Sequence, residues 1–446
     1  MTKRPEPAAD LNRRRFLQLG AAGAALLTSP ATASAAVDAG AKISTKAHIV
    51  IAGAGAAGLA TAQRLIHKLD GARITIIDKR KAHFYQPGFT LVAGGLKSKD
   101  YVVSETGEYL PRGVTWIEEG VAEFDPEGNK VVTESGKAVA YDFLVLATGL
   151  RLDYGAVEGM DTNRIGTDGL GSIYAGPDAA AATWEAMARF TETGGVGLFG
   201  RPATEMKCAG APLKYTFITD DRLRRAGNRG KAELIYCAQN KGLFSVPIVS
   251  EKVRMLFGER KVKVNYEHVM TGIDLGRKVA FYKTPAGPAE IKYDFVNVVP
   301  PMRAPEPVRN SPLRWQEGAF AADGWAEVDK PTLRHRRFRN VFAVGDVAGV
   351  PKGKTAASVK WQVPVAVDHL VADIAGTTSS AVYDGYTSCP LITRLGRAML
   401  VEFDYNDNLV PSFPGVIAPL EELWITWVMK TMALKPTYIS MLRGRA

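Results

Sequence analysis

The sequence predicts an α/β protein with two parallel-sheet domains in tandem, on three observations. A strand, a glycine-rich turn, a helix and a second strand follow one another over residues 47–78. Another apolar strand runs into a turn at residues 195–200, and two more strands, at 141–149 and 340–346, end in small or acidic residues. Strands alternating with helices are typical of Rossmann-like dinucleotide-binding domains. The sequence therefore predicts two such domains in tandem.

Composition sets the scale of the protein and the range of its partners. The chain has 446 residues, of which 46% are hydrophobic and 23% charged, enough for about three compact units. Three cysteines in this length do not make a disulfide scaffold. The net charge of +10 is compatible with anionic membranes, substrates or nucleic acid. Since no motif of the sequence favours nucleic acid, we predict no nucleic-acid partner.

The N-terminal 35 residues predict an export signal. Consecutive arginines at 13–15 precede an apolar run that ends at residue 27, and small residues at 33–35 suit signal peptidase. This pattern is typical of twin-arginine export. The alternative, an uncleaved membrane anchor, is disfavoured because the run is too short to span a bilayer. We therefore expect a linker at 36–46 and a periplasmic protein bound to the periphery of the cytoplasmic membrane.

The first domain begins with a dinucleotide-binding fingerprint. Gly53 makes the turn, Gly55 lets the backbone approach a pyrophosphate, and Gly58 allows the helix to pack closely. Ala56 opens the helix, whose N-terminus faces the phosphates. Asp78 ends the second strand, 20 residues after the last glycine, where it can accept hydrogen bonds from ribose hydroxyls.

Two later segments favour FAD over NAD in this first domain. The strand at 141–147 runs into the Thr148-Gly149 turn, and the strand at 340–344 ends on Gly345-Asp346. With the fingerprint they resemble the two-dinucleotide-binding-domain flavoprotein superfamily. The resemblance implies that Gly149 passes near the cofactor and that Asp346 binds the ribityl chain of FAD.

The second domain lacks the corresponding nicotinamide site. After the strand at 195–199 comes Gly200-Arg201-Pro202, with no second Gly-x-Gly-x-x-Gly motif. Pro202 also removes a backbone donor where phosphates would be held. NAD(P)H is therefore disfavoured as the electron donor.

Two cysteine-containing segments carry a closer resemblance. Cys208 lies in Lys-Cys-Ala-Gly-Ala-Pro at 207–212, and Cys389 lies in Tyr-Asp-Gly-Tyr-Thr-Ser-Cys-Pro-Leu at 383–391. These segments resemble the sulfide:quinone oxidoreductases, in particular type II, which includes the mitochondrial enzymes. Further matches are at 83–87, 299–302, 345–346, 354–357 and 400–405. The resemblance covers roughly residues 47–446 and divides them into 47–160 (first segment of the FAD domain), 161–295 (second domain), 296–380 (second segment of the FAD domain) and 381–446 (redox-cysteine and membrane segment).

The resemblance implies a redox role for Cys208 and Cys389. Hydrosulfide attack on a disulfide between them leaves a persulfide on one sulfur and a thiolate on the other. We assign the persulfide to Cys389; FAD then takes two electrons, a small sulfur acceptor takes the sulfur, and quinone reoxidises the flavin. The alternatives are a structural bridge or two buried thiols. Cys237, in an apolar strand, is expected to be an inert core residue.

Further site residues follow from the same resemblance. Glu158 aligns with an acid proposed as a proton carrier, against the alternative of a surface acid. Gln86 and Val121 are expected FAD contacts. Lys354 and Thr355 open a helix over 356–374 that could stabilise negative charge on the reduced flavin, against the alternative of a solvated lysine. The histidines show no metal-ligand spacing, so no metal is predicted.

The C-terminal residues predict an amphipathic membrane-binding helix. Its apolar face comprises Leu420, Leu423, Trp424, Trp427 and Val428. The charged residues after 422, namely Lys430, Lys435, Arg443 and Arg445, are all basic, as suits a helix lying on an anionic membrane. The alternative is a helix packed on the protein's own core or on a partner in a homo-oligomer.

Two other functions remain open on the sequence alone. One is the flavoprotein subunit of flavocytochrome c sulfide dehydrogenase, which passes electrons to a haem partner. That family tethers its flavin through a cysteine after the second strand, whereas residues 83–88 contain none, so FAD is expected to be non-covalent. The other is a flavin-bearing scaffold without turnover, which the two cysteine motifs disfavour.

Overall fold

The computed structural model describes residues 42–445, and the predicted export signal lies outside them. The strands are β1 (Ile43–Ser44), β2 (His48–Ala52), β3 (Leu69–Asp70), β4 (Arg73–Ile77), β5 (Ala82–Phe84), β6 (Val103–Glu105), β7 (Thr115–Ile117), β8 (Val121–Asp125), β9 (Lys130–Thr133), β10 (Ala138–Ala140), β11 (Phe143–Leu146), β12 (Arg151–Leu152), β13 (Leu170–Gly171), β14 (Gly195–Gly200), β15 (Ala232–Cys237), β16 (Val262–Asn265), β17 (Val269–Asp274), β18 (Val279–Thr284), β19 (Gly287–Lys292), β20 (Phe295–Asn297), β21 (Met302–Arg303), β22 (Val341–Ala343), β23 (Thr387–Arg394) and β24 (Arg397–Phe403). The α-helices are α1 (Ala56–Lys68), α2 (Phe89–Ala93), α3 (Pro177–Thr193), α4 (Ala211–Arg225), α5 (Pro247–Glu259), α6 (Glu306–Arg309), α7 (Ala356–Ile374), α8 (Trp424–Val428) and α9 (Leu434–Leu442).

The first parallel sheet has the strand order β22-β11-β2-β4-β7. All five residues of β2 are buried, because helices and loops cover both faces of a parallel sheet. Helices α1 and α7 contact each other on this sheet. Since β22 follows the second sheet in the chain, this domain is discontinuous, and the predicted α/β fold is confirmed.

The second parallel sheet has the order β13-β20-β14-β15-β16. Its core is aromatic: the rings of Phe199, Tyr215 and Phe295 lie within about 6 Å of one another, centre to centre. A three-stranded antiparallel sheet, β17-β18-β19, follows it in the chain. The exact domain boundaries predicted from the sequence stay predictions.

A C-terminal hairpin joins the two cysteine segments. Strands β23 and β24 pair antiparallel, with Cys389 opposite Val401. Strand β23 packs against α4, the helix that begins three residues after Cys208. The hairpin therefore carries Cys389 to the N-terminal end of α4.

The C-terminal helical segment begins later than predicted. Helix α8 continues through a π-helical turn (Met429–Ala433) into α9. Leu423 precedes it in extended backbone, because its N–H and C=O both bond to Ala398. Leu420 has a φ of 62° and is not helical either. The prediction that these two leucines belong to the helix face is therefore wrong.

One side of this segment packs on the first domain. The Tyr438 hydroxyl lies 2.7 Å from His83 Nε2, and Lys435 Nζ donates to the Tyr101 carbonyl at 2.6 Å. Other side chains face outward, with Ile425 44% and Met432 67% exposed. The packed and the exposed alternatives thus each describe one side of the segment. Over residues 42–445, no helix combines the length and the hydropathy needed to cross a bilayer.

Candidate active site

Two of the three fingerprint positions accept only glycine. Gly53 has a φ of 109°, and a Cβ there would lie 2.4 Å from the Ala147 carbonyl oxygen. A Cβ on Gly58 would lie 1.8 Å from the Gly53 carbonyl oxygen. The first turn, the neighbouring strand end and α1 are therefore in backbone contact, which places the N-terminus of α1 at the edge of the sheet.

The other side of this turn is open. No atom lies within 4 Å of a Cβ built on Gly55 or Gly149, and Gly149 has a φ of 69°. The Thr148 hydroxyl beside it is buried without a hydrogen-bond partner. Asp78 caps the turn, since its carboxylate accepts from the N–H of Ala54 at 2.7 Å. An open backbone cradle with an unpaired hydroxyl and a nearby carboxylate fits the diphosphate and ribose of FAD.

At the start of α7, the predicted lysine is buried. Lys354 Nζ donates to the carbonyls of Asp346 and Ala348 at 2.7 and 2.9 Å and lies 3.6 Å from the centre of the Trp325 ring. Burial lowers the pKa of Lys354 to about 8 and raises that of Asp346. Thr355 is the N-cap of α7, accepting from the Ser358 N–H at 3.1 Å. The alternative of a solvated lysine is therefore wrong.

Gln86 and Val121, the two other expected FAD contacts, have different neighbours in the structure. Gln86 accepts a hydrogen bond from Lys207 Nζ at 2.7 Å, which ties it to the segment that carries Cys208. Val121 is half-buried at the start of β8 and pairs with Thr133. The structure thus brings Gln86 to the cysteine segment.

Cys208 and Cys389 share one buried lysine. Lys214 Nζ lies 3.3 Å from Cys208 Sγ and 3.7 Å from Cys389 Sγ, and the lysine is 2% exposed. Both cysteines are free thiols in this structure. Cys208 has a φ of 46°, in a conformation that costs a non-glycine residue free energy, and its N–H donates to the Lys354 carbonyl at 3.0 Å. A Cβ on Gly210 would lie 2.5 Å from Cys389 Sγ, so glycine makes room for the second sulfur.

The two thiols differ in their acidity. A hydrogen bond from Cys389 lowers the pKa of Cys208 well below its ordinary value, and the charge of Lys214 lowers it further. The same hydrogen bond, with burial, raises the pKa of Cys389. Burial opposes the charge on Lys214, but the two sulfurs outweigh it and raise the lysine's pKa. The electrostatics of the site therefore favour negative charge on Cys208 over negative charge on Cys389.

A second buried lysine comes from the C-terminal segment. Lys430 is 2% exposed, and its Nζ donates to the Pro87 carbonyl at 2.8 Å. Burial lowers the pKa of Lys430 to about 7, and the charge of Lys214 contributes in the same direction. The prediction that Lys430 belongs to a membrane-facing basic tail is therefore wrong.

The sequence analysis did not assign either lysine to this site. Lys214 lies six residues after Cys208, which is a local signal. No sequence pattern connects Lys430 to the cysteines.

The remaining predicted residues lie outside this cluster. Glu158 is exposed, and its backbone bonds to Thr271 and Ile273 of β17. Glu158 is therefore held by the antiparallel sheet β17-β18-β19, whereas Cys208 precedes α4 and Cys389 lies on β23. Cys237 is 1% exposed, and burial raises its pKa to about 11, so it stays a neutral thiol in the core as predicted.

Residues 47–176 match the family model described as pyridine nucleotide-disulphide oxidoreductase, a class of FAD-dependent enzymes. The chain is 36% identical over 406 residues to the mitochondrial sulfide:quinone oxidoreductase of Dictyostelium discoideum, covering 91% of this chain and 88% of the relative. It is 35% identical over 369 residues to the Mus musculus protein of the same name, covering 82% and 80%. The sulfide:quinone oxidoreductase structure from Aquifex aeolicus superposes with a TM-score of 0.73 at 22% identity, covering 89% and 92%. The chain belongs to the sulfide:quinone oxidoreductase family.

These comparisons also correct one prediction. The relatives from Dictyostelium discoideum and Mus musculus are both named as mitochondrial proteins. The periplasmic location predicted from residues 1–35 is therefore wrong. Arginines followed by a short apolar run also recur in segments that direct other routes, so this local pattern does not determine the compartment.

We expect Gly58→Ala to lose FAD, because its Cβ would overlap the Gly53 carbonyl oxygen. Gly258→Ala is the matched control, since it lies in α5 with no atom within 4 Å of the added methyl group. Absorbance at 450 nm per mole of purified protein measures the bound flavin. Normal flavin content in Gly58→Ala, at unchanged thermal stability, would contradict the assignment of this turn to FAD.

Proposed function

We propose that Cys208 and Cys389 are the redox pair through which this sulfide:quinone oxidoreductase oxidises sulfide. The supporting observation is the Lys214 ammonium within 3.7 Å of both sulfurs in a buried site. A buried charge is costly unless it is paired, so this lysine favours a state in which at least one sulfur is negative. Two structural thiols in an apolar core need no such charge.

The first step follows from this electrostatic arrangement. In the oxidised enzyme the two sulfurs form a disulfide, and hydrosulfide attacks the Cys389 sulfur. The Cys208–Cys389 bond breaks, a new S–S bond forms on Cys389, and Cys208 leaves as a thiolate. The proton of hydrosulfide stays on the persulfide. Lys214 Nζ lies 3.3 Å from Cys208 Sγ and 3.7 Å from Cys389 Sγ, so its charge stabilises a thiolate on Cys208 more and makes Cys208 the better leaving group.

The position of Cys208 supports its role as the thiolate next to the flavin. Its N–H donates to the Lys354 carbonyl, and the adjacent Lys207 donates to Gln86. We assign Lys354 and Gln86 to FAD binding. Bound FAD supplies a two-electron acceptor. A small nucleophilic acceptor takes the sulfane sulfur from the persulfide and leaves Cys389 as a thiolate. The Cys208 and Cys389 thiolates then re-form their disulfide, and the two electrons released would go to the flavin and from it to quinone. Family membership favours quinone over the haem partner of the alternative function.

We further propose that the exposed side of the C-terminal segment lies on a membrane. Ile425 and Met432 are 44% and 67% exposed, and Trp424 is 49% exposed beside them. Large apolar side chains at the surface mark interaction sites when they cluster. Because a quinone partitions into lipid, a membrane on this side would bring it to the enzyme.

A second element extends this apolar surface. Lys252 of α5 pairs with Glu421 at 3.8 Å, three residues before α8 begins. Ile248 and Met255 lie four and three residues from Lys252, on the same helix face, and are 54% and 49% exposed. The surface therefore comes from α5 and the C-terminal segment together.

Replacing either Cys208 or Cys389 by Ser is expected to abolish flavin reduction by sulfide while FAD stays bound, because no disulfide can form. Anaerobic stopped-flow absorbance at 450 nm measures the reduction. Cys237→Ser is the control and should keep its rate within about twofold, since Cys237 remains a neutral core thiol. Full-rate reduction in either Ser variant would overturn the redox pair.

The double variant Ile425→Glu/Met432→Glu is expected to bind vesicles of phosphatidylcholine and phosphatidylglycerol at least about tenfold more weakly, because two apolar contacts become charged. Val382→Glu is the control, at a residue 65% exposed on another segment. Co-sedimentation measures binding, and sulfide-dependent flavin reduction should be unchanged. Equal sedimentation of all three proteins would refute the membrane surface.

A further inference from the structure

A small cavity lies where the second sheet would hold a nucleotide. It has a volume of about 20 Å³ and is lined by residues of β14, β15, β17 and β18 and by the ends of β20, among them Arg201, Asn297, Cys237, His268, Met270 and Tyr282. Nucleotide and cofactor sites are typically of several hundred Å³. This space admits one small species of about the size of a water molecule or a monatomic anion.

Two hydrogen-bond donors in this cavity have no partner. Arg201 Nε is buried and unpaired, and so is the Nδ2 amide of Asn297, a residue that is 2% exposed. The other end of the Asn297 amide is occupied, because its Oδ1 accepts from the Ile173 N–H at 3.3 Å. Leaving buried donors unpaired is unfavourable, so an acceptor within reach of both would stabilise the protein.

The charge in the cavity is positive. Among the residues that line it, Arg201 alone carries a permanent charge, and within residues 42–445 it makes no ion pair. The neighbouring Cys237 is neutral, since burial raises its pKa to about 11, and burial likewise raises the pKa of Tyr282. An unpaired guanidinium between neutral groups attracts an anion, and the apolar wall at Met270 suits a weakly hydrated one.

The Tyr174 side chain interacts electrostatically with both Arg201 and the cysteines. The Tyr174 hydroxyl donates to the carbonyls of Lys207 and Cys208 at 3.1 Å. Burial is the largest cause of the raised pKa of Tyr174; the sulfurs of Cys208 and Cys389 raise it further, and the charge of Arg201 opposes them. Tyr174 therefore lies within electrostatic reach of both the guanidinium and the sulfurs.

We propose that this cavity binds one small monovalent anion, of the size of hydrosulfide, between Arg201 and Asn297. The anion accepts from Arg201 Nε and Asn297 Nδ2 and neutralises the guanidinium. Hydrosulfide is the substrate of the family and belongs to this class of ion. This binding site is separate from the redox chemistry and does not depend on the roles assigned to the two sulfurs.

Bromide, which resembles hydrosulfide in size and charge, is the probe. Crystals of the FAD-loaded enzyme soaked in sodium bromide should show an anomalous peak in hydrogen-bond range of Arg201 Nε and Asn297 Nδ2. Arg201→Met, which keeps the length of the side chain and removes the charge, should lack the peak. If wild-type crystals soaked in bromide show a water molecule at this position and no anomalous peak, the proposal is overturned.

Thermal unfolding gives a second readout in solution. At equal ionic strength, sodium bromide should raise the Tm of wild type over sodium gluconate by about 2 °C, because a ligand that binds only the folded state stabilises it. The rise should vanish in Arg201→Met and in Asn297→Asp, which keeps the acceptor for Ile173 but repels an anion. Arg277→Met, at an exposed arginine paired with Glu290, is the control and should keep the rise.

The same rise in Arg201→Met and in wild type would also overturn the proposal. Both readouts are independent of sulfide turnover. The experiments therefore distinguish failure of the anion-site proposal from failure of the proposed redox role of the two cysteines.

Discussion

A single buried ammonium group, that of Lys214, contacts both sulfurs of the proposed active site. Lys214 is almost fully shielded from water, and its Nζ lies within hydrogen-bonding range of two sulfurs that are 181 residues apart in the sequence. Burying this charge is unfavourable unless a negative group compensates it. A Cys208 thiolate would provide that compensation, and the Cys389 thiol would donate a hydrogen bond to it. The negative charge that would balance Lys214 is therefore the same charge that would make the Cys208 sulfur reactive.

The surrounding fold is arranged to bring these groups together. The loop before α4 puts Cys208 in a left-handed conformation, the absent side chain of Gly210 makes room for Cys389, and β23 delivers that second sulfur. The C-terminal segment then adds Lys430, whose pKa is lowered to about 7. The segment that we propose to lie on a membrane thus also contributes a buried amine near the sulfurs. The proposed lipid contact and the electrostatics of the proposed redox pair therefore involve the same helical segment.

Local patterns predicted much of this structure. The glycine fingerprint and helix α7, with its bounds at 356–374, follow from spacing within short stretches, and the discontinuous first domain follows from the resemblance to the flavoprotein superfamily. Features set by distant contacts were missed. Lys430 resembles a solvated tail lysine until the segment folds back on Pro87, and Leu423 fits a helix face until Ala398 pairs with it as in a strand. The short basic and apolar pattern of the N-terminus fits several compartments, which is why the predicted location was wrong.

The central claim is that the hydrogen bond from Cys389 and the charge of Lys214 together hold Cys208 as a thiolate. The direct measurement is the pH dependence of Cys208 alkylation by iodoacetamide in the reduced, FAD-loaded enzyme, followed by peptide mass spectrometry. Wild type should react with a midpoint well below the ordinary thiol pKa of about 8.5, because the thiolate persists as the pH falls. Lys214→Met should move the midpoint upward by at least about one unit, toward the ordinary value, whereas Lys252→Met should not move it. An unchanged midpoint in folded, FAD-bound Lys214→Met would contradict the account.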